Sequence, residues 1–165
     1  MAIVPTLSYT NANAFLAMSH GFVSEEVVNA AQSYVAAQLI DLQNHHVSVG
    51  QQDPNMHWVV YAENEDGRII GFRYFYFQPG DRFCNLFSCF VDREHRRHGL
   101  AAKMITRSIE IAATGGCKTF NVLLSEPTPE RDGLFNWYCR FGKANEKLYG
   151  LVINYWHQTK RFGDA

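Results

Sequence analysis

The stretch Val91-Asp92-Arg93-Glu94-His95-Arg96-Arg97-His98-Gly99-Leu100-Ala101 joins two segments of different period. Before it, the apolar run 83–91 reads as a strand. After it, Leu100, Ala101, Met104, Ile105, Ile109, Ile111 and Ala112 recur at helical spacing, which predicts a helix over 97–114 closed by Gly115-Gly116. A strand that runs into an amphipathic helix leaves backbone N–H groups unpaired at the positive end of the helix dipole. Gly99 and Ala101 keep side chains small where a ligand would approach that backbone. Arg93, Arg96, Arg97, Lys103 and Arg107 add local positive charge to an otherwise neutral chain. The chemistry that fits is a phosphate or pyrophosphate. The plainer alternative is a solvated helix start with ordinary surface arginines, and one basic turn with a single glycine is a weak motif. It is neither a Walker loop, having no Gly-Lys-Ser/Thr, nor a dinucleotide fingerprint, lacking the G-x-G-x-x-G spacing.

Upstream, residues 11–46 have helical character. Gly21 ends a short first helix, Ser24 is a good N-cap for a second, and Glu25 and Glu26 suit its positive end. Val27, Val28, Ala31, Tyr34, Val35, Leu39 and Leu42 fall on one face of that second helix. Gln51-Gln52-Asp53-Pro54-Asn55 breaks the pattern. Strands are predicted over 57–62, 69–77 and 83–91, joined by turns at Asn64-Glu65-Asp66-Gly67 and Pro79-Gly80-Asp81. The middle strand is apolar on both sides, with Phe72, Tyr74 and Tyr76 on one face and Phe75 and Phe77 on the other, as a central strand requires. Downstream, 118–124 reads as a strand. Thr128-Pro129-Glu130 opens a helix to about Phe141 with a stripe of Leu134, Tyr138 and Phe141, and 148–157 is a last strand. The order ααβββαβαβ is mixed α/β, a mostly antiparallel central sheet flanked by helices. Strands 83–91 and 118–124, linked through a helix, should be parallel neighbours.

At 165 residues the chain sets a prior of one domain, 1–165, with enough length to bury a core. Fifteen Lys+Arg against sixteen Asp+Glu give a net charge of −1, so no global field recruits nucleic acid or an acidic membrane. Only 19% of residues are charged and 47% are apolar, the reverse of intrinsic disorder. No run approaches the ~20 apolar residues of a membrane span, and the N-terminus lacks the basic and apolar regions of a secretory signal. A cytoplasmic protein is expected. Cys84, Cys89, Cys117 and Cys139 form no CxxC pair. His45 and His46 are adjacent and diverge on a helix, His95 and His98 sit beside arginines, and Cys84 and Cys89 fall on opposite sides of a strand. No metal site is expected. A Cys–His nucleophilic enzyme is disfavoured because the cysteines lie in apolar contexts that suit inert thiols. An RNA-binding sheet, suggested by aromatics beside basic residues at 73–76 and 156–161, competes with the need of those aromatics for core.

Arg96-x-x-Gly99-x-Ala101 after a strand ending in Val91, with Glu94 between, resembles the acyl-CoA pyrophosphate loop of the GNAT superfamily of N-acetyltransferases. Tyr138-x-x-x-Gly142, on the helix after the next strand, is similar to a second signature of that family. The element order agrees, so the resemblance covers roughly 57–157 as a cofactor-binding core and extends to the helices at 11–46. It implies a parallel strand pair that splays at the cofactor site. The backbone of Phe90 and Val91 would bond the pantetheine amides, and in the loop that Arg96 opens the N–H groups of Arg97, His98, Gly99, Leu100 and Ala101 would wrap the pyrophosphate. Tyr138 would be the general acid for the departing thiolate, its reference pKa of ~10 suiting that role; otherwise it is a core aromatic of its stripe. Acetyl-CoA is then the acyl-donor cosubstrate. The acceptor is a primary amine, either a small molecule or a protein terminus or side chain, and a longer acyl chain and a homodimer remain open. Strand 69–77 and the helices at 11–46 should line the acceptor pocket.

Two positions depart from the family pattern. Many relatives carry an Asn seven residues before the tyrosine, where this chain has Arg131. Some carry a Glu general base six residues before the final Val of the strand, where this chain has Asn85, which takes no proton from an ammonium. Asp81 and Glu126 are the nearest carboxylates, and neither is assigned as base. The rival reading is a non-catalytic acyl-CoA sensor of the same fold. Asn85 favours it and Tyr138 opposes it.

Overall fold

The computed structural model describes residues 5–44, 54–96, 98–124, 129–155 and 158–163, with the side chains of 42–44, 54 and 129–131 left out of that description. Its strands are β1 (Thr6–Asn11), β2 (His57–Glu63), β3 (Ile69–Phe77), β4 (Phe83–Val91), β5 (Thr119–Leu124), β6 (Leu151–Tyr155) and β7 (Gln158–Phe162). Its helices are α1 (Ala12–Leu16), α2 (Glu25–Ala31), α3 (Ala37–Asn44), α4 (Leu100–Thr114) and α5 (Pro129–Ala144). The seven strands form one sheet in chain order. The pairs β1–β2, β2–β3 and β6–β7 are antiparallel, and β4–β5 and β5–β6 are parallel. This is the mixed, helix-flanked sheet expected, and β4–β5 is the parallel pair expected, with β5–β6 a second. The register of that pair runs from Phe83↔Thr119 to Leu86↔Val122, while β4 itself continues to Val91.

The chain divides into two compact units. The first is Met1–Tyr76 with Ser88–Ser108, the second Phe77–Phe87 with Ile109–Ala165. In the first, the β3 residues from Ile69 to Tyr76 are all buried. Phe15 of α1 covers one face of that strand, its ring 5.3 Å from Phe72 and 5.9 Å from Tyr61. Met104 of α4 covers the other: a Cβ on Gly71 would come within 3.4 Å of the Met104 methyl and 3.0 Å of the Phe90 carbonyl oxygen. The missing side chain lets β3 and β4 close up there. In the second unit, α5 packs on β6 and β7. The Phe135 and Tyr155 rings lie 5.0 Å apart, and the Tyr155 hydroxyl donates to the Asp132 carboxylate.

The structure corrects several sequence expectations. The sequence pattern gives no strand at β1 or β7, yet both are edge strands, and their exposed or half-exposed side chains carry little apolar alternation. Their ladders, not their side chains, hold them. The first helix is only Ala12–Leu16, followed by a 3-10 turn at Ser19–Gly21. Ser24 does cap α2, its Oγ accepting from the Val27 N–H at 3.4 Å. A π-helical turn at Gln32–Ala36 then breaks the 3.6-residue period, which leaves Val35 buried and rotates Tyr34 out to 48% exposure. Leu134, placed on the apolar stripe of α5, is also exposed. Thr128, residues 45–53 with His45 and His46, and Trp156 lie outside the described residues.

Candidate functional site

The segment from β4 to α4 is built in the first unit by short-range bonds and by two residues at the start of α2. Asp92 is buried at 6% exposure, and its N–H donates to the Ile70 carbonyl at 2.8 Å. Its carboxylate accepts from Ser24 Oγ at 2.8 Å and meets His95 Nδ1 at 2.9 Å. Burial alone would raise this carboxyl, but the bonds from His95, Ser24 and the backbone at Glu94 outweigh it and hold the group below its ordinary value. Arg96 folds back so that Nε donates to the Val91 carbonyl at 2.8 Å, and its guanidinium lies 5.3 Å over the Phe90 ring. Glu26 then takes the Arg93 N–H at 3.2 Å and pairs with the guanidinium groups of Arg93 and Arg96 at 3.6 and 3.4 Å.

Two readings of this loop change as a result. The helix begins at Leu100, three residues later than its period suggested, with Gly99 before it at φ +74°. Only glycine holds that conformation without strain, and a Cβ there would meet nothing within 4 Å. Lys103 N–H already bonds the Gly99 carbonyl at 3.1 Å, so the first-turn N–H groups of Leu100, Ala101 and Ala102 are the ones the helix geometry leaves over. The basic cluster is also smaller than its sequence count. Arg93 and Arg96 are engaged by Glu26, and Arg107 sits 5.8 Å over the Tyr9 ring. His98 and Gly99 are exposed, Ala101 is half-buried and Leu100 is buried. Arg97 is outside the described residues. An open glycine turn at a 15-residue helix N-terminus fits a phosphate group well.

Tyr138 lies in the second unit, on α5, buried at 5% exposure with its ring 5.1 Å from Trp137 in a T-shaped contact. Gly142, one turn on, is packed against β7: a Cβ would sit 2.5 Å from the Phe162 ring. Asn85 is half-buried on β4, in register with Asn121 of β5. Asp81 is exposed and accepts from the Arg82 N–H at 3.1 Å. Glu126 and the Arg131 side chain are outside the described residues. A cleft of about 650 Å³ in the second unit is lined by Cys117, Lys118, Phe120, Lys147, Tyr149 and Gly150 among others. No residue singled out as a site residue from the sequence lines it. Sequence reasoning missed Gly71, whose signal was a lone glycine inside an apolar strand. It also missed the second duty of Ser24 and Glu26, which no local pattern announces because their partners lie 67 to 70 residues away.

A model of the acetyltransferase (GNAT) family matches residues 24–142. No curated protein sequence matches the chain. Among solved structures, it is similar to an aminoglycoside acetyltransferase, HMB0005, from an uncultured soil metagenomic sample, at 16% identity and a TM-score of 0.56 over 84% of this chain and 90% of that one. AAC(6')-Iy in complex with the bisubstrate analogue CoA-S-monomethyl-acetylneamine is similar at 17% identity and a TM-score of 0.54, over 85% and 90%. A ribosomal-protein-alanine N-acetyltransferase from Brucella melitensis biovar Abortus 2308 gives 16% and 0.54, over 83% and 90%. At such identities the structural likeness speaks to fold, and the family match covers well over half of the chain. The chain belongs to the GNAT acetyltransferase family.

Proposed function

We propose that the protein is a single-domain N-acetyltransferase that moves an acetyl group from acetyl-CoA to a primary amine by direct attack. The observation that carries this reading is the open glycine turn, Gly99 at φ +74°, set at the N-terminus of α4 immediately after β4. The backbone N–H groups of Arg97 through Ala101, following Arg96, hold the pyrophosphate, and the Phe90–Val91 backbone takes the pantetheine amides. Acetyl-CoA supplies an activated thioester. The enzyme holds that thioester beside the amine, which replaces a bimolecular encounter by a positioned one. Tyr138 protonates the departing thiolate. The acceptor is an amine in a pocket lined by β3 and the N-terminal helices. The structural relatives are named for acceptors as different as aminoglycosides and a ribosomal-protein alanine, which supports an amine and leaves its identity to experiment.

The test is a thermal melt with CoA. Ligand at ~100 times its dissociation constant stabilises by about 2.7 kcal/mol, which for a chain of this size raises Tm by about 5–10 °C. A melt that CoA leaves unmoved defeats the loop assignment. A melt that moves, with no thiol released from acetyl-CoA by any amine tried, leaves a non-catalytic acyl-CoA sensor.

A further inference from the structure

The reading above leaves the proton of the acceptor ammonium without a destination, because Asn85 is no base. The first unit holds an unused pair of titratable groups on the face of β3 that α1 covers. His57 and Tyr74 are both fully buried, and the Tyr74 hydroxyl lies 2.7 Å from His57 Nδ1. The Tyr76 ring packs 5.0 Å from the imidazole. β3 and β4 are neighbours joined by a short turn, hence antiparallel, and two contacts fix their register. Asp92 N–H bonds the Ile70 carbonyl at 2.8 Å, and the Phe72 and Phe90 rings meet at 6.1 Å. One pair further along, that register sets Ser88 opposite Tyr74 on the same face. Ser88 Oγ is buried and has no hydrogen-bond partner among the described residues. A buried hydroxyl left without a partner loses its hydration with nothing in return, so it marks a place that suits a polar guest.

We propose that Ser88, Tyr74 and His57 form the route by which the acceptor amine loses its proton during acyl transfer. This rests on the reading of the chain as an acetyl-CoA-dependent N-acetyltransferase. The Ser88 hydroxyl accepts a hydrogen bond from the amine and holds its nitrogen against β4. Once one ammonium proton has left, the freed nitrogen lone pair forms the bond to the acetyl carbonyl carbon as the carbon–sulfur bond breaks. Of the two protons the ammonium gives up, one is balanced by the proton the thiolate receives. The other, the first to leave, passes to Tyr74 Oη while the Tyr74 hydroxyl proton moves to His57 Nδ1, leaving an imidazolium that returns its proton along the same path to solvent once the amide has left. The tautomer required has Nδ1 as acceptor. Burial raises the Tyr74 phenol above its ordinary value, which keeps it protonated and suits it to relay a proton rather than to act as a phenolate. The imidazole meets two β3 phenols, Tyr74 and Tyr76.

His57→Asn separates relay from scaffold, because the amide oxygen replaces Nδ1 as hydrogen-bond acceptor but takes up no proton. Thiol release from acetyl-CoA is measured with neamine, an alanine-led peptide and a simple alkylamine as acceptors, beside CoA-dependent melts. At pH 7 the variant should lose about 100- to 10,000-fold in kcat while the CoA shift and the KM for acetyl-CoA hold. The deficit should narrow as pH rises towards ~10, where the amine is free without help. A variant with normal kcat, or a deficit equal at every pH, overturns the relay. Should His57→Asn fail to melt cooperatively, Tyr74→Phe takes its place with the same readings. A wild type that binds CoA but turns over none of the amines overturns the relay and leaves CoA binding intact, whereas absence of a CoA shift defeats the underlying reading itself.

Discussion

Gly99 and Tyr138 each make one sharp prediction. Gly99 lies in the left-handed region with open space around its α-carbon. Asp is one of the few L residues that visits that region, so Gly99→Asp should cost the free protein only about 1–2 kcal/mol. Its carboxylate would stand at the proposed pyrophosphate site, and the CoA-induced rise in Tm should vanish; a variant that keeps the rise removes the turn from that site. For Tyr138 the competing roles predict different losses. As general acid, Tyr138→Phe should lower turnover about 100- to 10,000-fold with the CoA shift unchanged. As a core aromatic, buried against Trp137, it should lose about 0.5–1.5 kcal/mol of stability and no turnover per folded molecule. Turnover and denaturant midpoint measured on the same preparations decide between them.

At the scale of elements, the junctions are tighter than the elements themselves. Gly142 sits inside α5, where alanine would ordinarily gain about 1 kcal/mol of helix propensity. Its Cβ would meet the Phe162 ring at 2.5, 2.7 and 3.1 Å, and overpacking costs about 1–3 kcal/mol. The clash should win, so Gly142→Ala should lower the urea midpoint, and a raised midpoint would show that β7 yields. The tie from α2 to the loop after β4 is testable through pH. Asp92 is held below its ordinary value, so its contribution is present above the unfolded carboxylate value of ~4 and is lost as pH falls through the lower folded value. Melts of wild type and Asp92→Asn should therefore differ most near neutral pH and converge in acid. A gap that stays constant would mean the carboxylate charge is not what holds the turn.

For the molecule as a whole, burial of the thiols offers a readout of the folded state. Cys84 and Cys117 are buried, while Cys89 and Cys139 are half-buried. Burial, with the charge of Asp81 adding to it, pushes the Cys117 thiol up to about 11. A thiol reagent at pH 7 should react slowly with Cys84 and Cys117 in the native protein and fast with all four cysteines in denaturant. Rapid native reaction of four thiols would mean that these burials do not describe the protein in solution. Among the described residues no helix is long and apolar enough to cross a membrane.

Period and punctuation alone determined most of the elements. β3 and β4 begin and end where apolar runs meet turn residues, and α5 begins at the proline its pattern named. The weak but ordered motifs Arg96-x-x-Gly99-x-Ala101 and Tyr138-x-x-x-Gly142 were legible because each is local, and the family match to 24–142 agrees with them. Three kinds of fact belong to tertiary structure. Edge strands such as β1 and β7 owe their form to a partner's backbone, which leaves no apolar trace in their own residues. The clamp of Ser24 and Glu26 on Asp92, Arg93 and Arg96 joins residues 67 to 70 positions apart, and charge arithmetic along the chain counts those arginines as free. The pairing of His57 with Tyr74 depends on the register of β2 against β3, since a one-residue slip would send the two side chains to opposite faces.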